Sequence, residues 1–440
     1  MPPRRRPALS RGQLAAVALG NGLEFYDFTV YAFFAVPIGH AFFPAANPWA
    51  SLLLSVSTFG IGYFTRPLGA LAIGAYADRR GSRPALVLSL ALMGLATLTI
   101  AVLPAYGTLG LAAPVLMVAA RLVQGFALGA ETGPAITCLV GAAAGARRSR
   151  AVAWQVATNG AALLAAGLVG YGLSLALPRP ALDAWGWRLA FALALATVPA
   201  TLAVRARLPD GGPAAPGGAA PVRSLLARPG RAAAAVLVIA SGTVSFSIAA
   251  FMTSYALTAL KLAPSLAFLS AVALGAATLA TAPLGGLLAD LCGRRSTFLA
   301  SRAALALAAV PAFAWLDAAR DGPALLTVSA AIAALSTLGA PAGLCMVFES
   351  LPAGARSTGL AMAYALGISL FGGTTQAAVT ALVALSGNLL WPGYYLAASS
   401  AIGAAAAFGV VSEARRSGDR GPVPTGGAPA GTGAFRAPRR

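Results

Sequence analysis

Ionisable side chains are rare inside the long apolar runs of this 440-residue chain, and the first run holds a compact set of polar ones. Asn21, Glu24 and Asp27 follow one another at i, i+3 spacing, so a helix places them in one stripe. A charge within hydrocarbon costs at least about 2.5–3.5 kcal/mol on insertion scales, so the stripe is expected to face protein or water. Burial favours the neutral form of a carboxyl group, and Asp27 and Glu24 are therefore predicted to take up a proton.

Charged and polar side chains recur in two later runs. Arg66 lies in the second run, and the fourth run holds Arg121, Gln124 and Glu131. A guanidinium group donates two parallel hydrogen bonds to a carboxylate and stays charged when buried. The predicted chemistry is binding of a small organic anion by Arg66, Arg121 and Gln124, with Glu131 as a further proton acceptor.

A structural role is the alternative for these charges. Arg66 and Arg121 could each pair permanently with Glu24, Asp27 or Glu131 and only fix the packing of the helices. The two readings differ in what they require, since anion binding needs guanidinium groups that face a cavity without a permanent acidic partner.

A zwitterionic ligand is a second alternative. The cation of such a ligand would need an aromatic cage. Tyr26, Tyr31, Tyr255 and Tyr364 lie on predicted helices and could supply one. The predicted substrate contacts accordingly include Asn21, Tyr26 and Tyr255 beside the arginines.

A ten-residue turn rich in glycine, aspartate and arginine occurs twice. It begins at Gly74 and returns 212 residues later at Gly286, which indicates two copies of one unit. The glycine permits close contact between helices, and the Asp-Gly turn suits a helix end at the water boundary. The charged residues of this face are predicted to act in gating, and they are Asp78, Arg79, Arg83, Asp290, Arg294, Arg295, Glu349 and Arg356.

The composition is that of a membrane protein. Hydrophobic residues make up 58% of the chain and charged residues 10%, with a mean hydropathy of +0.78, whereas soluble domains average roughly 25% charged residues. The net charge of +19 comes from short basic stretches between apolar runs, which argues against a nucleic-acid partner. We predict neither an enzyme nor a metal site nor a cofactor other than the coupling proton. Cys138, Cys292 and Cys345 are expected to be isolated, buried thiols.

Twelve runs are long enough to cross a hydrocarbon layer of about 30 Å. They lie at about 13–40, 50–77, 84–103, 109–139, 150–177, 187–205, 232–260, 265–289, 296–316, 322–348, 356–386 and 391–411. These runs predict an all-α membrane protein with two pseudo-symmetric six-helix bundles. The predicted divisions are a cytoplasmic segment 1–12, bundles 13–206 and 232–411, a cytoplasmic linker 207–231 and a disordered tail 412–440.

Arginines are concentrated in alternate loops, among them the two repeated turns. Such loops are cytoplasmic in multi-pass proteins, so both termini are predicted to be inside the cell. We call this side of the membrane the arginine-rich face and the other the arginine-poor face. The expected location is the plasma (inner) membrane, and the expected state in the bilayer is a monomer.

Several stretches resemble the metabolite-proton symporter family of the major facilitator superfamily. They are GNGLEFYDF at 20–28, GYFTRPLGA at 62–70, RLVQGFALGAE at 121–131 and WGWR at 185–188. Within that family, HAFFPA at 40–45, PAYGTLGLAAP at 104–114, and the segment 367–373 with ALVALSGN after it look most like the citrate and tricarballylate symporters. Gly141 stands where the family usually has an acidic residue after the fourth helix, whereas Glu349 keeps that residue in the second half.

The resemblance implies the twelve-helix facilitator fold and proton-coupled uptake of a small organic acid by alternating access. Together with the arginines, it favours citrate or a related tricarboxylate as substrate. A dicarboxylate, a shikimate-like acid or an osmolyte of the betaine or proline type is the alternative within this class. A non-transporting membrane sensor or a channel is the alternative from another class.

Overall fold

The computed structural model describes residues 22, 25–129, 148–206, 229–351 and 356–416, and regular structure in these ranges is helical. The long helical segments are numbered α1 to α12. The first six are α1 (25–33 and Ala35–Phe42), α2 (Pro48–Phe64 and Arg66–Arg80), α3 (Ser82–Val102), α4 (Ala112–Gly129), α5 (Arg148–Ala176) and α6 (Trp187–Ala206). The second six are α7 (Pro229–Thr258), α8 (Pro264–Leu291), α9 (Arg294–Ala319), α10 (Gly322–Ser350), α11 (Arg356–Gly367 and Gly373–Ser386, joined by a π-turn) and α12 (Trp391–Arg416). Short helices Tyr106–Leu109 and Arg179–Ala181 precede α4 and α6.

The helix bounds lie close to those predicted. Within the described ranges, nine helices are long and apolar enough to span a membrane. The span predicted at 84–103 is observed as Pro84–Val102, α7 begins at Pro229 within the predicted linker, and α12 continues to Arg416 within the predicted tail. Residues 1–21, 130–147 and 207–228 hold the start of the first span, the end of the fourth and most of the linker, and they lie outside the described residues.

A proline interrupts α2 in mid-membrane. Pro67 has no N–H to donate to the carbonyl of Tyr63, and the helix is broken at Thr65. The Tyr63 carbonyl instead accepts a hydrogen bond of 2.7 Å from the hydroxyl of Ser369 in the π-turn of α11. The break lies directly before Arg66, so the start of the second helical piece carries this charge into the centre of the protein.

Glycines bring α5 and α8 into backbone contact along their length. A Cβ added at Gly160 would lie 2.5 Å from the backbone nitrogen of Leu279, and one added at Gly275 would lie 2.2 Å from that of Leu164. The repeated glycine was predicted to permit close contact between helices, and this holds for Gly286, where an added Cβ would lie 2.6 Å from the Cβ of Ala153. No described atom lies within 4 Å of such a Cβ at Gly74.

A second contact joins α2 to α11. A Cβ on Gly60 would lie 1.9 Å from the carbonyl oxygen of Gly373, so only glycine fits here. Phe34 of α1 packs against Phe268 of α8 with ring centroids 4.7 Å apart. These contacts join helices of the two halves between the membrane centre and the arginine-poor face.

The cysteines follow the expectation only in part. Cys345 in α10 is buried, but Cys292 at the end of α8 is exposed, because it lies in the turn that leaves the helix. Cys138 lies outside the described residues.

Candidate functional site

A cavity of about 180 Å³ lies between helices of both halves of the chain. Helices α1, α2 and α5 contribute to it from the first half, and α7 to α11 contribute from the second. Its polar and aromatic lining residues are Phe25, Tyr63, Arg66, Gln155, Asn159, Thr243, Ser245, Phe246, Thr278, Phe298, Arg302, Ser336, Thr337 and Tyr364. Phe298 lies about one helical turn from the start of α9, so the cavity extends toward the arginine-rich face.

The charge of this cavity is positive. Arg66 and Arg302 line it, and no carboxylate is found among its described lining residues. The described ion pairs of the protein all lie at the ends of helices or in loops, and none includes either arginine. The cavity therefore holds two cations that lack a described acidic partner.

Arg66 is held by aromatic rings. Its guanidinium carbon lies 4.4 Å from the ring centroid of Tyr63 and 4.8 Å from that of Phe28. Its Nε is buried without a hydrogen-bond partner. Stacking on aromatic faces stabilises the cation and leaves its N–H edge available. The geometry fits an anion-binding group better than the permanent ion pair considered as the structural alternative.

Arg302 is fully buried on α9, with 0% of its surface exposed. Its Nη1 donates to the carbonyl of Ser241 (3.1 Å) and to the hydroxyl of Ser245 (3.0 Å), and its Nη2 donates to the carbonyl of Ser336 (2.9 Å). These acceptors are all neutral. The charge on Arg302 is thus oriented by hydrogen bonds and is not neutralised by them.

Asp27 lies in a separate polar network among α1, α3 and α4. It is 4% exposed, and its Oδ2 accepts hydrogen bonds from the hydroxyl of Thr97 (2.5 Å) and the amide of Gln124 (3.1 Å). Its Oδ1 is buried without a partner. Gln124 in turn accepts a 2.7 Å hydrogen bond from Nη1 of Arg121. The carboxyl group is therefore connected to Arg121 through one amide.

Arg121 and Gln124 lie behind the cavity and do not line it. Both are 0% exposed. The Arg121 guanidinium stacks on Phe28 at 4.6 Å and on Tyr31 at 4.4 Å. Phe28 thus contacts the guanidinium groups of both Arg121 and Arg66.

Of the four tyrosines considered for an aromatic cage, only Tyr364 lines the cavity, together with Tyr63, which was not predicted. Tyr26 is buried, with its hydroxyl 3.5 Å from the carbonyl of Ala190, and Tyr255 donates a 2.9 Å hydrogen bond to the carbonyl of Leu389. The remaining predicted residues, Asn21, Glu24 and Glu131, lie outside the described residues.

Glu349 joins three helices at the arginine-rich face. Its Oε1 accepts hydrogen bonds from Nη1 of Arg148 (3.3 Å), at the start of α5, and from Nη1 of Arg294, at the start of α9. The carboxylate is 35% exposed. Because α5 belongs to the first half and α10 to the second, this cluster links the halves on the side toward which the cavity extends.

Asp290 forms a second link between the halves. Its carboxylate at the end of α8 accepts the backbone N–H groups of Ser149 and Arg150 (both 3.2 Å) at the start of α5. A carboxylate in this place satisfies unpaired N–H groups and complements the positive end of the helix dipole.

The other predicted gating residues have local contacts. Arg295 stacks on Phe408 at 4.4 Å, and Nε of Arg356 donates to the carbonyl of Leu351 at 3.2 Å. Arg79 is exposed, and the side chains of Asp78 and Arg83 lie outside the described part of the chain.

Three residues of these clusters were not among the predicted site residues. Arg302 carried the same signal as the other arginines, a charge within an apolar run. Thr97 carried none, because a threonine hydroxyl can also donate to its own helix, as it does to the carbonyl of Met93 at 2.9 Å. Arg148 is one of several arginines in a basic loop, and its partner Glu349 is 201 residues away.

Known proteins resemble the chain along most of its length. The profile of the family described as "Sugar (and other) transporter" matches residues 14–211. A solved D-xylose-proton symporter superposes with a TM-score of 0.72 at 17% identity and covers 91% of this chain and 96% of its own. This is a multi-pass membrane fold of twelve helices in two six-helix bundles, so the predicted fold is confirmed.

Sequence relatives narrow the assignment. A citrate-proton symporter of Salmonella typhi is 33% identical over 410 residues, which are 91% of this chain and 94% of the relative. An alpha-ketoglutarate permease of Escherichia coli strain K12 is 30% identical over 82% of this chain and 85% of the relative. The chain belongs to the major facilitator superfamily and, within it, to the metabolite-proton symporters. These relatives are transporters of small molecules and not enzymes, as predicted.

Proposed function

We propose that the protein imports a tricarboxylate such as citrate together with protons, by alternating access of the central cavity to the two sides of the membrane. The carrying observation is the positive cavity, in which Arg66 presents an unpaired N–H edge and no described lining residue is acidic. The extensive identity to a citrate-proton symporter supports the same substrate class.

Arg66 binds a carboxylate of the substrate in this proposal. The cavity also offers neutral hydrogen-bonding groups, among them Gln155, whose Oε1 is buried without a partner. Such an acceptor suits the hydroxyl group of citrate. Arg121 and Gln124, which do not line the cavity, act on the proton site and do not touch the substrate in this conformation.

Asp27 is the proposed proton acceptor. It is buried, it has one unpartnered oxygen, and it is joined to Arg121 through Gln124. Glu24 and Glu131 remain candidates for further protons. Several are required, because each net charge that moves inward gains about 2.3 kcal/mol per 100 mV, so a citrate trianion must be accompanied by more than three protons, or be partly protonated, to be driven inward by the potential.

The arginine-rich face is proposed to be cytoplasmic and the membrane to be the plasma (inner) membrane, with both termini inside. In that orientation the Gly60–Gly373 and Phe34–Phe268 contacts join the two halves on the outer side of the membrane centre. The division into bundles 13–206 and 232–411 around the linker 207–231 is part of the proposal, as is the monomeric state.

Uptake of labelled citrate into proteoliposomes with an imposed pH gradient, acid outside, tests the function. Wild-type protein is expected to accumulate citrate with saturation. Arg66→Gln is expected to raise the KM for citrate about a hundredfold, because it loses part of two hydrogen bonds to a charged group, each of which contributes about 1.5–3 kcal/mol. Arg320→Gln is the matched control, because Arg320 is exposed and paired with Asp317.

Four results would contradict the proposal. Citrate uptake by Arg66→Gln at the wild-type rate would remove the anion-binding role. Unsaturable conductance without counterflow exchange would indicate a channel. Preference for a betaine over every acid in a competition panel would identify an osmolyte carrier, and preference for a dicarboxylate would support the alternative suggested by the permease relative.

A further inference from the structure

We propose that Arg302 is a second anchoring residue for the substrate, and that Arg66 and Arg302 together select anions with two separated carboxylates over monocarboxylates and zwitterions. This inference rests on the proposed function of organic-anion transport. It assigns to the second half of the chain a direct contact with the substrate.

The hydrogen bonds of Arg302 leave part of its donor set unused. A guanidinium group has five N–H donors, and the contacts to Ser241, Ser245 and Ser336 use three of them. Nε is among the buried atoms without a partner. Two of the five donors therefore have no described acceptor, on a side chain that lines the cavity.

The surroundings of Arg302 fix its head group in place. Its guanidinium carbon lies 5.4 Å from the ring centroid of Phe298. A Cβ added at Gly339 would lie 3.6 Å from Nη2, so the neighbouring backbone of α10 approaches closely. A side chain held by three hydrogen bonds and a ring is pre-organised for binding.

A purely structural role does not require the charge. The acceptors of Arg302 are two carbonyls and a hydroxyl, which a neutral donor could also satisfy. Burying an unpaired cation is costly, and a cation kept at such a site in a membrane protein marks a function. The missing negative charge is supplied by the transported anion.

The two arginines enter from opposite halves, Arg66 on α2 and Arg302 on α9. An anion with a single carboxylate can neutralise one of them and leaves the other buried and unpaired. A dicarboxylate or tricarboxylate can reach both, whereas the cationic end of a zwitterion meets like charge. The number and separation of carboxylates therefore become the basis of selection.

Equilibrium binding to purified, detergent-solubilised full-length protein provides the test, since it does not depend on turnover. Citrate, glutarate and the monocarboxylate valerate, which has as many carbons as glutarate, are titrated against wild type, Arg302→Gln and the control Arg320→Gln. For wild type, we expect glutarate to bind at least tenfold more tightly than valerate. For Arg302→Gln, we expect this ratio to fall at least tenfold while valerate affinity changes less than twofold.

The outcomes separate the two proposals. An unchanged glutarate-to-valerate ratio in Arg302→Gln, or an equal loss of affinity for all three acids, would overturn the role of Arg302 and leave anion transport intact. Failure of wild type to bind any of the acids would overturn both proposals. If Arg302→Gln does not fold, the wild-type ratio decides, because equal binding of glutarate and valerate contradicts a two-cation site and a tenfold preference supports it.

Discussion

Replacement of Asp27 by asparagine tests whether this residue carries the coupled proton, because it removes the titratable group and leaves the substrate cavity in place. The side chains have the same shape, and an asparagine with its amide nitrogen in the place of Oδ1 keeps an oxygen for the hydrogen bonds from Thr97 (2.5 Å) and Gln124 (3.1 Å). The new N–H groups lie where Oδ1 has no partner, which costs about 1–3 kcal/mol for an unsatisfied buried group. Asp27→Asn is therefore expected to fold with a lower melting temperature and to lack the titratable proton.

The expected effect on accumulation follows from the driving force. One pH unit across the membrane is worth about 1.4 kcal/mol per coupled proton, which is a tenfold concentration ratio. Loss of the Asp27 proton is expected to reduce the steady-state citrate gradient about tenfold for each unit of imposed pH difference. Counterflow of labelled against unlabelled citrate needs no net proton movement and is expected to persist at a measurable rate.

The assay compares both activities in the same proteoliposomes. Asp317→Asn is the control, since it removes an equal charge from an exposed pair with Arg320 (2.7 Å) at the arginine-poor end of α9. A steady-state citrate gradient that follows the imposed pH difference as steeply in Asp27→Asn as in wild type would refute the assignment of the proton to Asp27.

Three further changes probe the gates and the loops. Glu349→Gln removes the carboxylate that pairs with Arg148, the one of its two arginine partners that lies in the other half of the chain. At about 0.2–1 kcal/mol for this one pair, the population open at the arginine-rich face is expected to rise by up to about fivefold. Spin-label distances between the ends of α5 and α10 measure this shift, and unchanged distances would exclude a gating role. Gly60→Ala places a Cβ 1.9 Å from the carbonyl oxygen of Gly373 and is expected to lower both the melting temperature and the uptake rate. Gly74→Ala, which has no described atom within 4 Å of the added Cβ, is the control and is expected to change neither. Equal effects of the two substitutions would contradict the close contact at Gly60. Asp183 lies in the turn that precedes α6, and burial raises its pKa despite the nearby His40. The folded protein therefore loses stability as the pH rises through this raised pKa, because the carboxylate must then be charged while partly buried. Asp183→Asn is expected to raise the melting temperature more at about pH 7 than at about pH 4, and an equal gain at both pH values would contradict this.

The sequence sufficed for the helices and for the list of intramembrane charges. Long apolar runs and repeated turns predicted the helical segments, because hydrocarbon thickness sets the length of a span and water sets its ends. The energetic cost of a buried charge marked Arg66, Arg121 and Asp27 for the same reason. These predictions depend on local properties of the chain.

The sequence did not show which of Arg66 and Arg121 lines the cavity, because it does not show how each helix is rotated about its axis. A membrane helix is apolar on nearly every side, so its composition does not show which side faces the protein centre. The structure turns Arg66 toward the cavity through the break at Thr65, and it turns Arg121 toward Gln124 and Asp27. Rotation of a helix about its axis is set by long-range packing, such as the contact of Ser369 with the Tyr63 carbonyl, 306 residues apart.

The same rotation determines how a proton at Asp27 can influence an anion at Arg66. The carboxyl group and the cavity are joined by a continuous series of contacts, from Asp27 through Gln124 to Arg121 and then through the ring of Phe28 to Arg66. If protonation of Asp27 strengthens substrate binding, then substrate binding strengthens protonation of Asp27 by an equal free energy. A substitution at Phe28 that leaves both charges in place should therefore weaken this coupling, while an effect on citrate affinity alone would show that the ring only shapes the cavity.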